Sequence, residues 1–253
     1  MTDEISATDL DYLPWISSHI FLDEITSTNS YALNNISELA DKSPCLVVAR
    51  AQTAGRGRGH NKWWSARGNL TCSLIIKQDM IQPECLGLLA FTAALAVGNG
   101  IEQTIQQHKI LQFKWPNDIY YHEQKLAGIL IESKQTVYVV GVGINVNQNM
   151  ADTPVDFKNR AISLSMIQER SINFHTLLNN LLTEFEQQLR QDHSSIIKDW
   201  QGQSFLQDRI VSISTPTGEV QGRCIGVNEK GHLMLMTLRG TEEIVAGSVT
   251  SFE

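Results

Sequence analysis

Two apolar, strand-like runs, residues 45–49 and 70–76, are joined by a loop in which Gly55, Gly57 and Gly59 alternate with Arg56 and Arg58. The glycines open backbone conformations closed to other residues, and two permanently charged guanidinium groups project from the same few residues. Backbone N–H groups in such a turn form a concave donor surface, so the loop is suited to wrapping a carboxylate or phosphate. Trp63 and Trp64 at its end offer a flat apolar wall for a heterocycle. A flexible RGG-like tail is the competing explanation. Such tails are repetitive and lie outside folded domains, whereas this segment occurs once, between strands.

At 253 residues, 42% hydrophobic and 19% charged, the chain has the composition of an ordinary globular protein of one or two domains. A net charge of −7 argues against broad nucleic-acid binding, with the basic loop a local exception. Cys45, Cys72, Cys85 and Cys224 are widely spaced and include no CxxC pair, so they read as buried, reduced thiols. The N-terminus is acidic, without a basic segment followed by an apolar one, and no apolar run is expected to span a membrane. A cytoplasmic location is the expectation.

Along the chain, residues 19–25 read as a strand, followed by the cap-forming run Thr26, Ser27, Thr28 and Asn29 and a helix carrying Tyr31, Leu33, Ile36 and Leu39. Residues 83–107 carry a continuous apolar stripe and predict the longest helix. In residues 111–133 a strand enters a turn at Pro116 and Asn117, a second strand leaves it, and His122–Gln124 make a tight hairpin into a third. Residues 137–146 predict its neighbour, so Lys114, Asp118, Lys125 and Asn145 come from adjacent strands or their ends. Irregular sequence over 147–160 precedes a helix over 173–191, which together with residues 194–200 ends the larger domain. From Phe205 onward, short strands over 209–214, 219–227, 232–236 and 242–245 suggest a small SH3-like barrel.

The motifs STN at 27–29, AGRGRG at 54–59, KWPND at 114–118, KLAGIL at 125–130 and GVGIN at 141–145, with the small C-terminal barrel, resemble the biotin protein ligases in kind and in order. That resemblance implies an α+β fold: a mixed sheet flanked by helices, class II synthetase-like, over 1–203, then a barrel over 204–253. It implies a two-step reaction, in which biotin and ATP give biotinyl-5′-AMP and pyrophosphate and a lysine of a biotin carboxyl carrier domain, such as that of acetyl-CoA carboxylase, takes the biotinyl group. Mg²⁺ is implied with the nucleotide. Carried over by motif, Ser27, Thr28, Asn29 and Gln52 would meet the ureido ring with backbone groups of Arg56 and Gly57. Arg58 and Lys125 would bracket the carboxylate and α-phosphate, and Gly128 would let its strand approach biotin. Trp63 would cover adenine, Lys114 and Asn145 would lie on the nucleotide side, and Asp118 would orient or deprotonate the incoming amine.

The loop departs from the commonest bacterial pattern, with His60 and Asn61 where a further arginine is usual and SARG at 65–68 in place of SPxG. Only 26 residues precede Ser27, too few for the winged-helix domain of members that repress transcription, so the resemblance implies a monofunctional ligase that does not bind DNA. Lipoate ligases share the fold and a single catalytic lysine; GRGRG together with KWPND favours biotin. A non-catalytic binding module would need neither Arg58 nor Lys125.

Overall fold

The computed structural model describes residues 4–148 and 160–253. Strands β1 (Ser18–Ile25), β2 (Cys45–Gln52) and β3 (Asn69–Lys77) form one half of a seven-stranded sheet. Strands β4 (Leu111–Lys114), β5 (Asp118–Tyr121), β6 (Gln124–Lys134) and β7 (Val137–Asn145) complete it in the order β1-β2-β3-β7-β6-β5-β4. β1 and β2 run parallel and every other neighbouring pair is antiparallel.

The alternation of side chains along each strand sets two different faces. Leu70, Cys72, Leu74 and Ile76 of β3, with Val140, Val142 and Ile144 of β7, are buried in the main core. That core is covered by α3 (Leu89–Ile105), α5 (Phe174–Gln188) and α6 (His193–Gln201), while the one-turn α4 (Leu164–Gln168) lies in the connection after β7. On the other face Ile75, Val137 and Val139 pack with Ala32, Ile36 and Leu39 of α1 (Thr28–Asn34) and α2 (Ile36–Asp41). Further along the same strands that face changes character. Ser73 and Thr71 stand opposite Gly141 and Gly143, and Gly128 of β6 stands opposite Gly143. The strands therefore carry a floor of small residues beside α1.

Several sequence expectations are refined by the structure. The helix expected after Asn29 is two helices, because Asn35 leaves helical geometry and its side chain turns back to the Tyr31 carbonyl. The helix expected over 83–107 starts as a 3-10 segment, Pro83–Leu88, and becomes α-helical only at Leu89. The expectation that no segment is long and apolar enough to span a membrane needs correcting. Pro83–Ile105 meets that test by length and composition, yet its apolar window is 72% buried inside the protein, as a core helix is. Most of the irregular stretch expected over 147–160 lies outside the described residues.

The C-terminal strands are β8 (Ile210–Thr215), β9 (Gly218–Val227), β10 (Leu233–Thr237), β11 (Gly240–Ile244) and β12 (Ser248–Phe252), an antiparallel sheet in the order β11-β10-β9-β8-β12. Sequence reading missed β12, whose Ser-Val-Thr-Ser-Phe run has a weak apolar pattern and is held by pairing to β8. Val211, Ile213, Leu233 and Leu235 join the main core, so this sheet sits against the first one. The β4 edge is tied to it as well: Phe113 N–H donates to Gln203 O and Phe205 N–H to Phe113 O, both at 2.8 Å.

Candidate active site

A cavity of about 310 Å³ opens over the small-residue floor, and it is bounded by α1, β3, β5 to β7, the glycine-arginine loop and the C-terminal Ser248 and Val249. Every candidate site residue named from the sequence lines it except Asn145. Asn145 is buried, and its amide donates to the carbonyls of Lys125 and Ile162 at 3.3 and 3.1 Å, fixing the start of β6 from behind.

One end of the cavity is built from neutral hydrogen-bonding groups. Ser27 caps α1, its hydroxyl accepting from Ser30 N–H at 3.4 Å. The first turn then presents Thr28, whose N–H and hydroxyl both donate to Gln52 Oε1, at 2.8 and 3.1 Å. Ser73 Oγ lies 2.8 Å from Thr28 Oγ1 and 2.6 Å from Asn29 Oδ1. The Asn29 amide donates to Leu130 O at 3.2 Å and Glu132 Oε2 at 3.0 Å. A Cβ on Gly141 would lie 2.9 Å from Asn29 Cγ, so only glycine there leaves room for that side chain. The result is a largely buried array of neutral donors and acceptors, with the Glu132 carboxylate at its edge.

The opposite end is cationic. Lys125 Nζ pairs with Asp118 at 2.6 Å and lies 5.7 Å from the centre of the Trp63 ring. Lys114 Nζ is 3.3 Å from the Tyr120 hydroxyl and stands over the rings of Tyr120 and Phe252 at 5.1 and 4.8 Å. Burial lowers the Lys114 pKa, with Lys125 adding to the effect and Asp118 opposing it. Burial likewise lowers that of Arg58, again against Asp118. Both shifts come chiefly from desolvation of a buried cation, which an incoming anion would offset.

The loop expected to wrap an anion is folded as a hairpin strap. Trp63 N–H donates to Gly55 O at 3.0 Å, Gly57 N–H to Asn61 O at 2.8 Å and Asn61 N–H to Arg58 O at 3.2 Å; Arg56 and Lys62 form a bridge. Gly59 sits at the turn with φ +63°, a left-handed conformation glycine adopts without strain. The two arginines reach in different directions. Arg58 Nη1 donates to Gly247 O at 2.8 Å and its guanidinium lies 5.9 Å from the Trp115 ring centre, whereas Arg56 forms a two-pronged pair with Glu132. Trp63 lies flat on the floor: a Cβ on Gly143 would come within 2.6 Å of the ring's Cζ2. Its Nε1 is buried and without a hydrogen-bond partner among the described residues.

Sequence reasoning missed Ser73, Glu132, Trp115, Ser248 and Val249. A signal existed for Ser73, since period-two counting along β3 puts it on the face of Ile75 rather than that of Leu74. Gly247 to Val249 could not have been found, because they reach the cavity only through packing of the second sheet.

Among the described residues no group of three or more His, Cys, Asp or Glu could hold a metal. Among the described residues Asp118 is the one carboxylate in the cavity wall. This donor set fits Mg²⁺ carried in on a triphosphate, since nucleotide-bound magnesium is usually held by one or two protein carboxylates together with the phosphates.

Residues 21–149 match the biotin/lipoate A/B protein ligase family. The bifunctional ligase/repressor of Bacillus spizizenii is 30% identical over 244 residues, covering 92% of this chain and 74% of its own. The biotin–[acetyl-CoA-carboxylase] ligase of Mycobacterium tuberculosis is 30% identical over 230 residues, covering 88% and 85%. Among solved structures, the biotin protein ligase from Aquifex aeolicus in complex with biotin and ATP matches with a TM-score of 0.81 at 28% identity, covering 93% of this chain and 98% of that one.

Proposed function

Because this chain belongs to the biotin/lipoate A/B protein ligase family, we propose that it is an ATP-dependent biotin ligase, forming biotinyl-5′-AMP and passing the biotinyl group to a lysine of a biotin carboxyl carrier domain. The observation that carries this reading is the division of one cavity into a neutral end at Thr28, Asn29 and Gln52 and a cationic end at Arg58, Lys114 and Lys125. Biotin has the matching polarity: a neutral urea at one end, a carboxylate at the other and an apolar chain between. Lipoate has a dithiolane in place of the urea, which would leave buried donors and acceptors at the neutral end without partners, a cost of about 1–3 kcal/mol for each group.

In the first half-reaction a carboxylate oxygen of biotin forms a bond to the α-phosphorus of ATP and the bond to pyrophosphate breaks. Negative charge builds on the phosphoryl oxygens, where Arg58 and Lys125 supply preorganised donors. Mg²⁺ bound to the triphosphate would neutralise the leaving pyrophosphate. In the second half-reaction the carrier amine attacks the acyl carbon and AMP departs. Asp118, paired with Lys125 here, is released to accept a hydrogen bond or proton from the amine when Lys125 turns to the phosphate. Trp63, with a buried N–H and a flat ring, supports stacking and donation to the nucleotide. The buried thiols and the use of ATP fit a cytoplasmic enzyme.

Exchange of labelled pyrophosphate into ATP tests this directly. Exchange is expected with biotin and not with lipoate. Exchange supported by lipoate alone would replace biotin as the substrate, and no exchange with either acid would remove the ligase reading.

A further inference from the structure

Lys114 closes β4 directly opposite Asp118, the first residue of β5, a cross-strand position at which two opposite charges ordinarily pair. The Asp118 carboxylate is engaged instead by Lys125 at 2.6 Å, and among the described residues no carboxylate oxygen lies within ion-pair distance of Lys114 Nζ. Its charge is held by rings. Nζ lies 5.1 Å from the centre of Tyr120 and 4.8 Å from that of Phe252, with the Tyr120 hydroxyl at 3.3 Å. Burial pushes the Tyr120 phenol up, so its oxygen remains a neutral hydroxyl. Both rings rest on Phe205, whose centroid is 4.9 Å from that of Tyr120 and 5.0 Å from that of Phe252. Arg209 stands over Phe205 and Phe252 in turn and pairs with Glu123 at 3.0 Å. Phe252 comes from β12, where it is paired with Val211 of β8, so the second sheet supplies one wall of this aromatic box.

We propose that Phe252 is a positioning residue for the nucleotide, holding the Lys114 ammonium at the cavity as an unneutralised charge for a phosphoryl oxygen of ATP. The inference rests on the ligase reading above. Lys114 lines the cavity and neither ring does, so Phe252 acts through Lys114 and not on the ligand itself. A carboxylate partner would also fix the lysine, but an incoming phosphate would have to displace it. A ring face attracts the cation through its quadrupole and carries no net charge, so it competes far less with an anion. Of the three N–H donors on the ammonium the Tyr120 hydroxyl takes one, which leaves two for phosphoryl oxygens. Without the rings the four-carbon stem regains its rotamer freedom, and the cost of ordering it falls on the binding of ATP. The two lysines divide the anions between them. Lys125 Nζ lies over the floor, 3.2 Å from where a Cβ on Gly128 would stand, and is placed for the carboxylate of biotin; Lys114, on the side of the second sheet, is left for the triphosphate.

Steady-state pyrophosphate exchange at saturating biotin, with thermal unfolding of each variant alongside, tests the box. Phe252 is only partly buried, and Phe252→Leu keeps an apolar side chain there without a ring face. It is expected to lower kcat/KM for ATP about three- to thirtyfold, the worth of one cation–π contact at a desolvated ammonium. KM for biotin, and the inhibition constant of adenosine, which has no phosphate, should stay at their parent values. Phe252→Tyr restores the ring and should behave as the parent. In a Lys114→Met chain, which keeps the stem but not the charge, Phe252→Leu should cost nothing further, the signature of two residues acting through one contact. Parent-like use of ATP by Phe252→Leu, or a Phe252→Tyr enzyme as impaired as the leucine variant, would overturn the box and leave the ligase reading in place. So would a loss that multiplies with that of Lys114→Met, or an equal loss toward adenosine or biotin. A parent that supports no exchange with biotin would remove the ligase reading, and the nucleotide role of Phe252 with it.

Discussion

Lys125→Ala is expected to slow pyrophosphate release in a single turnover by about a hundred- to a thousandfold while biotin affinity falls only about tenfold. Removing one preorganised donor at developing charge costs roughly 2.7–4 kcal/mol in rate, because the donor acts more strongly on the transition state than on the bound substrate. The neutral-end contacts of Thr28, Asn29 and Gln52 do not involve Lys125, so ground-state binding keeps most of its anchors. The structure adds a second consequence. Asp118 is only 2.6 Å from Lys125, and the alanine variant leaves that carboxylate facing an anionic substrate with its partner gone. Asp118→Asn in the same chain should therefore recover part of the loss in adenylate formation, and a double variant that loses the product of the two single factors would show that the pair does not act as a unit. Arg58→Ala should also slow adenylation, and its effect should not simply multiply with that of Lys125→Ala where both groups grip one phosphate.

Gly143→Ala is expected to weaken binding of biotin and nucleotide together by between about fivefold and a hundredfold. A methyl group at that position overlaps the Trp63 ring, so either the ring leaves the floor or β7 moves. Forcing an atom into a well-packed site costs roughly 1–3 kcal/mol. The displaced ring would take with it the wall beneath Lys125 and the strap end to which Trp63 belongs. Equilibrium titration with each ligand, alongside thermal unfolding of the free protein, separates the site effect from a general loss of stability. Unchanged affinities would show that the ring tolerates the methyl group and that Gly143 is not required for the floor.

Much of the central sheet was legible in the sequence because its signals are local. The apolar runs of β3 and β7, the turn at Pro116 and Asn117 and the hairpin at 122–124 each depend on a few neighbouring residues, and the structure has β3 and β7 at those runs and strands on either side of both turns. The long apolar stripe of α3 was equally clear, but its 3-10 start was not: Pro83 suits the first turn of either helix type, and the segment's own Cys85 and Leu88 are buried in the core as they would be in an α-helix. β12 was missed because its partner, β8, lies more than thirty residues earlier and its own residues are largely polar. The gathering of Arg58, Lys114, Asp118 and Lys125 at one cavity follows from strand neighbours that motif order brought together. The links made by Glu132, Gly247 and Phe252 depend on packing between distant segments, and no local pattern announces them.

The division of labour between the two ends of the cavity is tested most directly by calorimetric titration of biotin and of biotinol, its alcohol analogue, which keeps the ureido ring but has no carboxylate. Both ligands are titrated into the parent, Thr28→Val and Lys125→Ala proteins. Thr28→Val removes a hydroxyl that lies between Gln52 and Ser73, so it should weaken both ligands by the same factor, about tenfold for one buried hydrogen bond. Lys125→Ala should weaken biotin alone and leave the alcohol at its parent affinity. If Lys125→Ala weakened the alcohol as much as the acid, or Thr28→Val left both unchanged, the assignment of a neutral end to the urea and a cationic end to the carboxylate would be contradicted.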